Sequence, residues 1–512
     1  MIDQRSFAPT FDRRMAPPSR WSALKTAAAV LLLCAATAIT SPAQVFTPLV
    51  SFTGVNGGGP YAGLIQATDG NFYGTTYYGG IYSNGVVFRI TPKGNLTTLY
   101  TFCNQSGGGC DDGASPYSAL VQGTDGNFYG TTSGSGANAG GTIFKITPTG
   151  KLTTLYGFCA QANCTDGKYP MGALVQATNG NFYGTTWYGG ATNNGTVFEI
   201  TPSGRLTTLY NFCSVSKCAD GALPLGGLIQ ASSGNFYGTT EVGGANCSVH
   251  LGCGTVFEIT PAGKLTTLHR FAGGNDGYGP QDGLAQAANG NFYGTTTDGG
   301  VSTQCADGCG TVFEMTPAGK VTILHSFCEE AGCPDGSFPA GAAVQGTNGN
   351  FYGTTSRGGP SSECNSRHFS GCGTIFEITS AGKFTTLYNF CEQAECADGS
   401  LPWAGLIQST SGQLYGTTTG YLGYGTIYSL GVGLKPFVTT TPNFGQTGSN
   451  VVILGNNLAG STAVSFNGTP ATFTASNSAI ATTVPAGATT GIVTVTTPSG
   501  TLSSNVVFHV RP

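Results

Sequence analysis

The chain has 512 residues, of which 39% are apolar, 11% aromatic and only 9% charged, and 82 are glycine. Aromatic residues at regular spacing in so glycine-rich a chain argue for a folded, turn-rich β protein and against disorder. The net charge of −4 becomes about −7 once the first 43 residues, with five basic and two acidic side chains, are set aside; nucleic acid and anionic membranes are poor partners for such a chain.

Residues 1–43 read as an export signal. Arg13, Arg14, Arg20 and Lys25 precede an apolar run from Ala27 to Ala36, and Ser41-Pro42-Ala43 supplies the small residues that suit cleavage before Gln44. A lipoprotein reading would use Cys34, but Leu33 stands where that processing wants a small side chain. No other stretch is apolar over the roughly 18 residues that a membrane helix needs. The expected product is secreted or cell-surface, without a membrane span after cleavage.

From Gly70 onward the phrase GNFYGTT recurs, beginning at Gly70, Gly126, Gly180, Gly234, Gly290, Gly349 and, as GQLYGTT, Gly412. Self-similarity at this period marks a repeat architecture in which each unit is buried by its neighbours. One unit, Gly172–Phe212, reads GALVQAT, NG, NFYGTT, a loop, GTVFEIT, PSG and RLTTLYNF. Pairs such as Asp69-Gly70 and Asn179-Gly180 between apolar runs specify a two-residue hairpin, and P-x-G, as at Pro92-Lys93-Gly94, specifies a second tight turn. Four antiparallel strands per unit, seven times, predict an all-β, seven-bladed β-propeller over residues 44–433.

After Tyr428 no copy of LTTLYxF follows; its seventh counterpart is Val45–Phe52, at the mature N-terminus. That segment is predicted to pair antiparallel with Gly425–Leu430 as the outermost strand of the seventh blade, which closes the ring and covers two open edges.

Sixteen cysteines fall into eight close pairs: Cys103/Cys110, Cys159/Cys164, Cys213/Cys218, Cys247/Cys253, Cys305/Cys309, Cys328/Cys333, Cys364/Cys372 and Cys391/Cys396. An even, locally paired set in an exported chain reads as disulfides. No pair has C-x-x-C spacing and no His sits at ligand spacing beside one, so no metal is expected. All eight pairs belong to the connections opposite the tight turns. One end of the propeller is therefore short-turned and uniform, and the other, with longer disulfide-pinned loops, is the expected binding face.

The pattern GNFYGTT…GTVFxITPxGxLTTLYxF over Val45–Gly433 resembles the GloVer (Gloeo/Verruco) tandem-repeat family of exported bacterial proteins. The resemblance implies no catalytic residue and no cofactor. That family often carries a C-terminal anchor, whereas this chain ends Phe508-His509-Val510-Arg511-Pro512. From Pro436 to Val510 there is no Asp, Glu or Cys, and phrases such as TPNFGQTGSNVVILGNNLAG and AVSFNGTPA resemble an IPT/TIG immunoglobulin-like β-sandwich. A second domain is expected over residues 434–512, and by resemblance such modules are spacers or interaction domains.

Two sets of residues are candidates for ligand binding. An Asp-Gly pair follows the fourth strand of six units, at Asp112, Asp166, Asp220, Asp276, Asp335 and Asp398, while the seventh position is near Asn56-Gly57. Carboxylates repeated around a ring could meet a cation or a sugar, but Asp before Gly is first a turn former. Aromatic residues after GTT differ between units: Tyr77-Tyr78, Trp187-Tyr188 and the later Tyr421, against Ser133, Glu241, Thr297 and Ser356. Trp and Tyr there could stack on sugar rings or anchor protein contacts. There is no G-x-S-x-G or H-E-x-x-H, and His250, His269, His325, His368 and His509 are scattered. The expected function is that of a monomeric, non-enzymatic binding or scaffold protein that contacts polysaccharide or surface proteins. The alternative is a polysaccharide hydrolase or lyase in which Glu241 or Asp298 converges with one of the repeated aspartates.

Overall fold

The structure, a computed structural model, describes residues 44–104, 109–244, 252–365, 370–421 and 423–511. The expected leader, with Cys34, lies outside the described residues, as do Cys247, His250 and His368. Among the described residues every element is a strand or a three-residue 3₁₀ turn. No helix among them is long and apolar enough to cross a membrane.

The fold is a β-propeller whose seven four-stranded antiparallel sheets share one plan. Blade 1 comprises Ile65–Gln66, Phe72–Thr76, Val86–Ile90 and Leu96–Thr101, in that order from the axis outward. Blades 2 to 6 follow in chain order. Blade 7 comprises Ile407–Gln408, Leu414–Thr418 and Thr426–Gly431, with Val45–Ser51 as its outer strand. Val45 pairs with Gly431 and Ser51 with Thr426, and Phe52 N donates to Gly425 O at 2.9 Å. The equivalence extends to irregularity. All seven pairs of third and fourth strands carry a bulge, at Pro48/Val50 in blade 7 as at Val87/Phe88 in blade 1.

Two ladders bind each blade to the next, aromatic throughout except that Tyr352 of blade 6 meets Leu414 of blade 7. The Tyr of one second strand packs on the Phe of the next, from Tyr73–Phe128 at 4.0 Å to the closing pair Tyr415–Phe72 at 4.1 Å. The Phe that ends each outer strand meets the third strand of the following blade edge-on, as in Phe102–Phe144 at 5.3 Å and Phe52–Phe88 at 5.4 Å. Such rings add packing energy beyond the area they bury. The glycine of FYGTT is part of this fit, since a Cβ on Gly74 would lie 2.6 Å from the Phe88 ring.

The innermost strands differ from expectation. The phrase GALVQAT suggests a full strand, but only two residues per blade, such as Ile65–Gln66, make ladder pairs. Their side chains serve the ring instead: the Thr68 amide donates to Gln122 Oε1 of the next blade at 3.0 Å, and equivalent bonds join every neighbouring pair of blades.

Residues 439–511 form two four-stranded sheets, one built on Asn450–Leu454 and Ala479–Thr483, the other on Ala463–Phe466 and Val493–Thr497, with a parallel pair of Phe444–Gln446 and His509–Arg511 beside them. Their inner faces bury Val451, Ile453, Phe466, Ile480, Val495 and Phe508, the alternation expected of a sandwich. This sandwich lies over the hairpin end of the propeller. Phe437 N donates to Thr410 O at 3.1 Å, Thr347 Oγ1 donates to Lys435 O at 3.3 Å, and a Cβ on Gly70 would touch Ser478.

Candidate functional site

Seven of the eight expected bridges are formed within their pairs: Cys103–Cys110, Cys159–Cys164, Cys213–Cys218, Cys305–Cys309, Cys328–Cys333, Cys364–Cys372 and Cys391–Cys396. The partner expected for Cys253, Cys247, lies outside the described residues. Among the described residues, the groups close enough to share a metal ion consist of cysteines from these bridges.

The repeated aspartates lie at the outer-strand ends, each clasping its own loop. Asp112 accepts from Tyr100 Oη at 2.9 Å and Cys103 N at 3.0 Å. Asp166, Asp220 and Asp398 repeat this with Tyr156, Tyr210 and Tyr388, each at 2.8 Å. In Asp276 and Asp335 the partner is an imidazole, His269 at 3.1 Å and His325 at 2.9 Å. Asn56 substitutes in the seventh connection and accepts from Thr53 N at 2.8 Å. All seven connections are thus held by an Asx side chain, the local backbone role that Asp before Gly performs.

The differing aromatic residues are distributed over two layers. Tyr77 joins a cluster at the propeller axis, with its ring 5.5 Å from Tyr61 and 6.1 Å from Tyr117. Trp187 also faces inward and donates Nε1–H to Glu241 Oε2 at 3.2 Å. Tyr78 and Tyr188 pack on the loops of the disulfide-bearing face, Tyr78 6.3 Å from Tyr424 and Tyr188 6.3 Å from Tyr169.

The axial channel is a cavity of about 1220 Å³ between this mouth and the sandwich. At the mouth the residue after a proline in each of the seven blades faces the axis: Tyr61, Tyr117, Met171, Leu225, Gln281, Ala340 and Trp403. Blades 7, 1 and 2 thereby contribute an aromatic crescent, in which Tyr61 stacks on Tyr117 at 5.5 Å and lies 6.4 Å from Trp403. Blades 4 and 5 supply the polar side. Gln281 Nε2 donates to Glu241 Oε1 at 3.0 Å, and Asp282, where other blades have Gly, Ala or Ser, accepts from Gly283 N and from Ala342 N of the next blade, both at 2.6 Å.

Burial raises both carboxyls above the ordinary range, against the lowering effect of those hydrogen bonds. The Tyr117 hydroxyl is pushed up to about 12, by burial first and then by the charge of Asp282. Asp298, which accepts from Thr297 Oγ1 at 2.9 Å, is lifted to about 6 by burial, with Asp307 and Glu241 adding like charge. The mouth therefore combines flat ring faces with acceptors for hydroxyl groups. Sequence reasoning reached Tyr77, Trp187, Glu241 and Asp298 but missed Tyr61, Tyr117, Trp403, Gln281 and Asp282. Their signal is a variable residue after the recurrent proline, in a phrase otherwise copied from blade to blade.

Among known families, the Gloeobacter/Verrucomicrobia repeat matches residues 36–251, 215–428 and 306–468, and the IPT/TIG domain matches 437–510. No curated protein matches. Among solved structures, the extracellular domain of a protein assigned as a hybrid two-component system from B. thetaiotaomicron is similar at 12% identity and a TM-score of 0.47. The match covers 92% of this chain and 60% of that domain. A protein assigned as a 6-phosphogluconolactonase from Bacteroides uniformis is similar at 15% identity and a TM-score of 0.41, over 64% of this chain and 83% of that one. A luciferin-regenerating enzyme matches at 14% identity and a TM-score of 0.36, over 61% and 89%. Likeness at these levels carries no argument about activity.

Proposed function

We propose that this chain, which belongs to the Gloeobacter/Verrucomicrobia repeat family, is an exported binding protein that holds a polysaccharide at the channel mouth on its disulfide-bearing face. Local disulfides support an oxidising location outside the cytoplasm. The observation that carries the ligand class is the crescent of Trp403, Tyr61 and Tyr117, with Tyr77 packed against it, facing Gln281 and Asp282 across one cavity, with Glu241 accepting from Gln281. Sugar rings present apolar C–H faces and equatorial hydroxyls, and this pairing of aromatic faces with fixed acceptors meets both. The sandwich over the hairpin end leaves the mouth as the approach for a large ligand.

The test is a glycan array on the mature protein beside its Trp403→Ala variant. Retention of neutral glycans, lost in the variant, supports the reading; no retained glycan overturns it. A second reading, hydrolysis or elimination, is favoured by Glu241 and Asp298, two carboxyls that resist ionisation beside a binding surface. Release of reducing ends from a bound polysaccharide, abolished by Glu241→Gln, would establish it.

A further inference from the structure

We infer that the ligand is an extended, neutral polymer whose chain leaves the channel mouth across the seam between blades 7 and 1, over Tyr78 and Tyr424. The inference rests on the reading of the mouth as a polysaccharide site and adds the length, path and charge of what is held there.

The first observation is a departure from sevenfold repetition. Among the described residues, the exposed aromatic side chains are Tyr82, Tyr421 and Tyr424, at 46%, 39% and 46% exposure, and all belong to blades 7 and 1. The crescent at the mouth is centred on the same sector, through Trp403 and Tyr61. Tyr78 connects the two: its hydroxyl feels both Tyr61 and Tyr424, and its ring lies 6.3 Å from that of Tyr424. Tyr61, Tyr78 and Tyr424 thus form a series from the axis to the rim, while Tyr421 turns to the other side of blade 7, where its Oη donates to Asn365 O at 3.3 Å.

The second observation is the floor beneath them. Other connections between a fourth and a first strand carry an Asp-Gly clasp and most carry a disulfide, whereas this one reads Val55-Asn56-Gly57-Gly58-Gly59-Pro60. A Cβ on Gly58 would lie 2.5 Å from the Tyr78 ring and 2.9 Å from Tyr424, and one on Gly54 would lie 2.8 Å from Tyr424. The loop is glycine where the two rings lie against it. On blade 3, by contrast, the Lys168 ammonium covers Tyr188 at 5.7 Å, so that ring face is already taken.

The third observation is charge. Glu241, Asp282 and Asp298 stand at the mouth, where burial already disfavours the charged form of each carboxyl, and a uronate or sulfated sugar would add a further anion to that poorly solvated site. Arg357, beside Tyr421, donates to the Cys364 carbonyl at 3.2 Å. Neutral sugars stacked in succession on the rings satisfy the whole surface.

The test measures affinity of the full mature chain for cello-, xylo- and manno-oligosaccharides, as disaccharides and hexasaccharides, for the parent polymers, and for polygalacturonate. The hexasaccharide and polymer should bind more tightly than the disaccharide. Tyr424→Ala should weaken polymer binding about fivefold and leave the disaccharide unchanged, the scale of one stacking contact, whereas Tyr421→Ala, on the other side of blade 7, should leave both unchanged. Tyr424→Phe keeps the ring and should retain affinity, while Trp403→Ala should weaken every ligand. Equal affinity for short and long ligands, polymer binding indifferent to Tyr424→Ala, or preference for polygalacturonate would each overturn this inference while leaving the mouth as a site. Absence of binding to any probe would overturn the mouth reading, and this one with it.

Discussion

The backbone amide of Thr410 donates to Oε1 of Gln66 at 2.9 Å, across 344 residues of chain. It is the last of seven like bonds, each from the first hairpin of one blade to the innermost glutamine of the next, and it joins blade 7 to blade 1. Thr417 Oγ1 repeats the link toward the mouth, donating to Pro60 O at 3.0 Å. If the ring is closed, its joint is no weaker than any other junction. Gln66→Ala and Gln230→Ala should then destabilise equally, by about 1 kcal/mol each, as one intramolecular hydrogen bond predicts. Thermal melts of the two variants side by side check this, and a markedly milder loss at Gln66 would contradict closure.

The second expectation concerns the strand that completes blade 7. Phe46 stacks on Tyr388 at 3.9 Å with ring planes 3° apart, and Phe52 closes the outer aromatic ladder on Phe88. Deleting Gln44–Phe52 removes both rings and exposes the edge of Thr426–Gly431. It should lower the unfolding midpoint and promote aggregation by more than deleting Pro436–Pro512. Calorimetry and light scattering on both truncations provide the comparison.

The disulfides pin loops outside the two ladders. Peptide mapping without reduction should recover eight local pairs, including Cys247–Cys253, and no inter-blade bridge. Each closes so short a loop that the chain-entropy model gives about 2 kcal/mol. Mild reduction should therefore lower the midpoint while the far-ultraviolet β signature persists at low temperature.

Much of this architecture is legible in local sequence because it depends on local chemistry. Asp69-Gly70 demands a hairpin with positive φ, and Gly70 adopts φ 82°. Val45–Phe52 matches its outer-strand counterparts residue by residue, bulge included. The innermost strands were overestimated because Gln66, Gln122 and their equivalents bond across blades, a role that appears only once the ring is formed. The mouth was missed for the same reason. Tyr61 and Trp403 lie far apart in sequence and meet through the permuted closure, so no spacing announces them. The repeated aspartates were visible as a set, but only the structure places them against Tyr100, His269 and their counterparts at the outer-strand ends.

The remaining prediction is a pair of opposite pH dependences. Asp298 is lifted to about 6 by burial and by the charges of Asp307 and Glu241, whereas an unfolded aspartate titrates near 3.9. Between these values the folded chain binds the extra proton, so this group makes stability fall as pH rises through about 4 to 6 and leaves it reduced above. Asp276 behaves oppositely. Burial raises its pKa, but hydrogen bonds from His269 and Ala272 N outweigh that and leave it below the usual range. Its contribution is present above the unfolded pKa and is lost as pH falls through the folded one. Asp298→Asn should therefore melt at a higher temperature than the parent above about pH 6 and converge with it near pH 4, whereas Asp276→Asn should melt lower at neutral pH and converge only in acid. Melting curves of both variants across that range read the two signs, and a parallel shift of either variant at every pH would contradict the assigned carboxyl.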